Sequence, residues 1–154
     1  MALLSWGKPT IETTTSSDGA PAAAATWKTI DVPKDTTTKL TPTAGTETEA
    51  LEEGGDLVDS RTGKNKYQFE FDHFVKKGKT RPREDNDGNL AGEHAFRLTP
   101  EDPDCEGIQI DRCTLRVEES YTTAEGIMLH YVAKVLKPKT GKMVKEYFKN
   151  APKN

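Results

Sequence analysis

Period-two alternation dominates the second half of this chain. From Lys66 to Val75, the residues Tyr67, Phe69, Phe71, His73 and Val75 share one face. Gln68, Glu70 and Asp72 share the other, joined at the end by Phe74. This pattern predicts a strand with one buried side. Ala91 to Thr99 alternates again, with Ala95 opposite His94, Phe96 and Leu98. Ile108 to Ser120 predicts a long strand whose apolar phase slips by one between Ile110 and Cys113, the signature of a β-bulge. Gly126 to Lys137 is apolar on both sides and is therefore expected at the centre of a sheet. Pro138 to Lys142 predicts a hairpin turn and Met143 to Phe148 a closing strand. Two loops separate these runs. One is a charged stretch from Lys76 to Asn89. The other runs from Pro100 to Gly107 and has room for at most one helical turn.

The first sixty residues read differently. Met1 to Ser60 is rich in Thr, Ala, Gly and acid, with little that could form a core. Residues 1–25 predict an N-terminal arm that holds a short β-like piece from Pro9 to Thr14, then a linker-like stretch from Ser16 to Ala25. Ala25 to Val32 predicts a strand with Trp27 and either Ile30 or Val32 facing inward, ended by Pro33. Residues 33–63 predict a long loop, with a short strand from Thr46 to Leu51 and a turn from Glu52 to Asp56. About thirty residues with so little structure are unusual in a compact domain. Such loops are generally functional or ordered by a partner. The whole chain, 1–154, is expected to be a single, mainly β domain. Its expected form is an antiparallel β-sandwich or barrel of about seven strands, with a long arm, a long loop and at most one short helix.

Composition sharpens this picture. The chain is 33% hydrophobic and 31% charged, with a mean hydropathy of −0.76. A core this modest implies that part of the chain is disordered or orders only on assembly. The formal charge of −3 argues against a grip on nucleic acid through phosphate neutralisation. Charge is also uneven. Met1 to Gly63 holds five bases and ten acids, and Lys134 to Asn154 holds seven lysines and one acid. An acidic front and a basic tail can attract each other between subunits or stand as two solvated surfaces. The opening residues lack the apolar core of a signal peptide, and no apolar run approaches the length of a membrane span. Cys105 and Cys113 are expected as thiols in a reducing compartment.

No residue set predicts catalysis, a cofactor or a metal. His73 and His94 fall on apolar strand phases and His130 lies inside a strand. Neither CxxC nor HxxxH spacing is present. The acidic run from Glu84 to Asn89 fails as a calcium loop, because counting from Asp85 places Leu90 where glycine is needed. Asp87-Gly88 reads as a hairpin turn instead. Thr62-Gly63-Lys64 and Thr140-Gly141-Lys142 lack the earlier glycine of a phosphate loop, Val58 and Leu136 standing in its place. The acid pairs Glu52/Glu53, Asp102/Asp104 and Glu118/Glu119 read as solvated turn and edge residues rather than a glycosidase pair.

The order of features resembles that of bacteriophage tail tube (major tail) proteins. The matching parts are the N-terminal arm, the run from Trp27 to Pro33, the threonine-rich loop and the acidic turn from Ala50 to Asp56. Lys66 to Phe71 and the late strand from Gly126 to Val135 continue the match. The resemblance implies a β-sandwich or barrel subunit, related in fold to type VI secretion tubes, that forms hexameric rings. Those rings would stack into a virion tail tube through which DNA is ejected without specific binding. Implied partners are copies of the same chain and other tail proteins, namely the tape measure, the tail terminator and, in a contractile tail, the sheath. Assembly would take place in the cytoplasm of a bacterial host. The helix that usually flanks the barrel in that family has no clear counterpart. Thr99 to Gly107 is the only place for it, and Pro100 and Pro103 oppose it. Two alternatives remain. One is another virion component, such as a tail terminator or head–tail joining protein. The other is a carbohydrate-binding β-sandwich, which needs a flat aromatic platform, whereas Trp6 and Trp27 lie in or beside the arm.

Overall fold

A computed structural model describes residues 3–22 and 25–150. It is all-β, a curled antiparallel sheet that forms a half-barrel, with no helix among the described residues. Eleven strands appear where about seven were expected. They are β1 (Thr10–Ser17), β2 (Ala20–Pro21), β3 (Lys28–Thr29), β4 (Lys39–Thr43), β5 (Glu47–Leu51), β6 (Leu57–Thr62), β7 (Lys66–Phe74), β8 (Glu93–Thr99), β9 (Gly107–Thr122), β10 (Gly126–Val135) and β11 (Lys145–Tyr147). The main path runs β2-β1-β8-β9-β10-β7-β4, with β3 on β1 and β11 on β9. β5 and β6 form a separate two-stranded ladder. The segment from Pro100 to Gly107 is a set of turns.

The alternation explains the core. Phe69, Phe71 and His73 of β7 are buried, as are Leu129, Tyr131, Ala133 and Val135 of β10. β10 lies between β9 and β7; Leu129, Tyr131, Ala133 and Val135 are buried on one face, while the other carries Met128 and Val132 with the polar His130 and Lys134. The slip in β9 is a bulge. Phe96 pairs with Ile110 but His94 pairs with Cys113, so Asp111 and Arg112 together oppose Ala95. Four rings join β7, β8 and β10. Phe71 stacks on Tyr131 at 5.2 Å and meets Phe69 at 5.8 Å and Phe96 at 6.2 Å. Asp87 and Gly88 both have positive φ, 50° and 90°, between the paired Asn86 and Asn89. This is the expected Asp-Gly turn.

Two expectations about the front of the chain change. Residues 10–17, placed in a free arm, pair along their length with β8, from Thr10 with Thr99 to Ser16 with Glu93. Their threonines pack inward. Thr13 and Thr14 are buried, and the Thr13 hydroxyl donates to the Ala95 carbonyl. Ala25 to Val32 forms only the two-residue β3, with Ile30 buried and Val32 exposed. The part of the predicted arm at residues 1–2 and 23–24 lies outside the described residues.

The closing hairpin also changes. β11 pairs with Gly107–Gln109 of β9 rather than with β10. β10 already has a neighbour on each side, so the chain after Val135 must cross to a vacant stretch of β9. Lys145 then reaches the buried carboxylate of Asp111, which also accepts from the Gln109 amide.

Arg97 fastens the chain's two outlying segments to the sheet. Its guanidinium donates twice to Glu12, at 3.0 and 3.2 Å. It lies 4.3 Å from the Trp27 ring and 5.2 Å from the Tyr147 ring. Each ring contact is worth about 0.5–2 kcal/mol and the paired hydrogen bonds add to it. Arg97→Ala is expected to lower unfolding free energy by about 1–3 kcal/mol in urea titration, and Arg97→Lys to recover only part, because an ammonium lacks the planar fork.

Candidate assembly surface

Residues 33–63, expected as a loop, carry strand over most of their length. β4 pairs with β7, from Lys39 with Glu70 to Thr43 with Lys66. The chain passes a narrow neck and continues as the β5–β6 hairpin. At the neck, Gly45 donates to the Asn65 side chain and Gly63 donates to the Thr46 carbonyl. A Cβ on Gly45 would lie 2.1 Å from the Gly63 carbonyl oxygen, so only glycine fits there. Gly54 and Gly55 turn the tip with positive φ.

Every residue of β5 and β6 is exposed, so the hairpin rests on no other described part of the chain. From Glu47 to the turn it extends about 20 Å at the usual antiparallel rise. An isolated two-stranded hairpin is marginal in water and gains its stability by packing on something else. Its tip is apolar. Leu51 and Leu57 face each other across the ladder beside a register shift, next to Val58. These three are 61%, 56% and 59% exposed. Around them stand Glu47, Glu49, Glu52, Glu53, Asp56 and Asp59, with no base between Glu47 and Asp59.

The half-barrel is open. β4 has no second neighbour among the described strands and β2 ends the path at the other side. An open groove of about 810 Å³ joins five stretches of chain. Leu40 and Phe69 come from β4 and β7, Leu98 from β8 and Ile108 from β9, with Val32 and Trp6 from the connecting segments. Lys8, Lys34 and Lys39 also line it, with Asp35 and Glu101.

The residues singled out for chemistry do not converge. His73 and His94 are buried, and both ring nitrogens of His73 lack a hydrogen-bond partner among the described residues. His130 is on the outer face, 2.5 Å from Asp72, 3.3 Å from Glu70 and 4.0 Å from Glu118. Glu119 points elsewhere and accepts from Arg81 at 2.8 Å. The Asp102 carboxylate accepts from the Asp104 amide, and Glu52 and Glu53 sit at the hairpin tip. Gly63 belongs to the hairpin neck, and Gly141 lies in a turn with φ 80°. No group of three or more His, Cys, Asp or Glu that could hold a metal ion occurs among the described residues. Neither cysteine is in a disulfide. Burial pushes the Cys113 thiol up to about 12, so it stays protonated at neutral pH and is a poor nucleophile.

Burial lowers both histidines below their ordinary value. For His94 the nearby Arg83 charge adds to this, and the Ala91 backbone offsets a small part. The unfolded chain, with histidines near 6.5, therefore binds more protons than the fold once the pH drops below about 6.5. The histidine contribution to stability is complete above that value. It is lost as the pH falls towards the depressed folded values. The urea midpoint is expected to fall between pH 7.5 and pH 5.5, and His73→Leu to reduce that fall. An unchanged midpoint in the parent protein would contradict the assignment.

No family model matches the sequence, and no curated protein matches it.

Proposed function

We propose that this chain is a structural subunit that assembles with copies of itself, as a tail tube protein of a bacteriophage does. Its rings would stack into a hollow tube that passes DNA without binding it specifically. The role is structural rather than catalytic, in the virion, with assembly in a bacterial host. The partners are further copies and other tail proteins. The observation that carries this reading is the β5–β6 hairpin, a projection whose last rung is apolar and exposed and which no other described residue covers.

Two further features support it. The sheet curls but does not close, and an open sheet edge is a hazard that assembly removes. The groove and the tip are both apolar and lie on different parts of the subunit. A contact between such different surfaces is head-to-tail, and head-to-tail contacts build rings or filaments.

Light-scattering mass over a concentration series tests the reading. The expected result is growth from the 17.0 kDa monomer to discrete multiples and then to long assemblies. A monomer at every concentration would sink it and turn attention to ligand binding by the sheet.

A further inference from the structure

The self-assembly reading leaves open what the hairpin tip touches. Resting on that reading, we propose that the tip of one copy seats in the open groove of a second copy, with Leu51, Leu57 and Val58 inside and the flanking acids over the groove lysines.

The apolar parts match in kind. The tip offers three exposed aliphatic side chains within one turn of ladder. The groove offers the half-buried Leu40, Leu98 and Ile108 over the buried Phe69, flanked by Val32 and Trp6. The first is an exposed apolar rung and the second a partly apolar depression of the same chain. Covering each with the other removes both from water.

The charges lean to opposite signs. Glu52, Glu53, Asp56 and Asp59 surround the tip with no base between them. Lys8, Lys34 and Lys39 line the groove beside Asp35 and Glu101, an excess of one positive charge. Lys34 already holds Glu125, and Lys39 lies 3.8 Å from Glu70. Lys8 has no ion pair among the described residues, and its ammonium is the natural first partner for an incoming acid. Charges so placed fix the orientation of docking more than its strength.

The occupant is a second copy because a subunit's own tip does not lie in its own groove. Leu40 belongs to β4, the strand from which the hairpin continues. The ladder beyond the Gly45–Gly63 neck buries none of its residues against the body. A stiff ladder that leaves the sheet in this way presents its tip to a neighbour.

Carbodiimide coupling of carboxylates to lysines, followed by peptide mapping, tests the proposal on the unaltered chain. A mixture of ¹⁴N- and ¹⁵N-labelled protein separates links between copies from links within one. The expected result in the assembled fraction is a mixed-isotope link from the acids between Glu47 and Asp59 to Lys8, Lys34 or Lys39, lost when the sample is diluted to monomer. If assemblies form but those acids couple only to other lysines, such as Lys134 to Lys149, the groove is not the acceptor and self-assembly stands. If no assembly forms at any concentration, both the docking and the reading beneath it fail.

Discussion

Replacing residues 47–62 with Asn-Gly is expected to abolish assembly and leave the fold intact. The graft is geometrically natural. Gly63 already donates to the Thr46 carbonyl, so these two residues can flank a two-residue type I′ turn, for which Asn-Gly is the favoured pair. The removed strands bury nothing against the half-barrel, so the unfolding temperature should move by no more than about 2–4 °C, the shift that accompanies a change of about 1 kcal/mol in a chain this size. The protein should then scatter as a monomer, 14 residues lighter than the 17.0 kDa parent, at concentrations where the parent chain assembles. A hairpin-less protein that assembles as readily as its parent would show that the contacts lie elsewhere. One that unfolds would show that the hairpin is part of the core.

The second large effect is on stability. Phe71→Ala is expected to cost about 3–5 kcal/mol, the usual loss when a buried ring is deleted and its space cannot collapse. Phe71 is the ring that touches the other three, Phe69, Phe96 and Tyr131, and it is 1% exposed. It faces Tyr131 across the β7–β10 ladder, so the cavity would open at the middle of the sheet. A domain has about 5–15 kcal/mol in total, and the variant should lose a large share of it. The expected reading is a fall of about 10 °C in unfolding temperature. Phe71→Leu, which keeps much of the volume, should lose less than half as much. A loss under about 1 kcal/mol for the alanine variant would contradict the packing described here.

How far the sequence announced this structure depends on what hides each element. β7 and β10 were legible because burial on one face, or on both, leaves a direct imprint on residue type. The β9 bulge was legible as a phase slip, and the Asp87-Gly88 turn as a dipeptide suited to positive φ. β1 was legible only as a short β-like piece from Pro9 to Thr14, and its place inside the sheet was not, because two of its three buried positions are threonines beside Ile11. Thr13 satisfies its hydroxyl on the Ala95 carbonyl and packs its methyl group, so a polar-looking run fills core positions.

β6 was hidden for the opposite reason. Leu57 to Thr62 is exposed throughout, and a strand with no buried face has no apolar alternation to reveal it. The same exposure makes the hairpin a candidate surface. Its other strand and its Gly-Gly turn could be read, but its projection from the body could not. The groove was out of reach of sequence reasoning, since Trp6, Val32, Leu40, Phe69, Leu98 and Ile108 meet only through the fold. β11 was misplaced because its partner depends on which edges of β9 and β10 remain vacant, a property of the whole sheet.

The central claim is that this subunit builds hollow assemblies with copies of itself. Negative-stain electron microscopy of the purified protein, taken to high concentration, tests it most directly. The account predicts rings with a central hole that stack into tubes, and their absence in the hairpin-less variant. Single separate particles of subunit size at every concentration would contradict it.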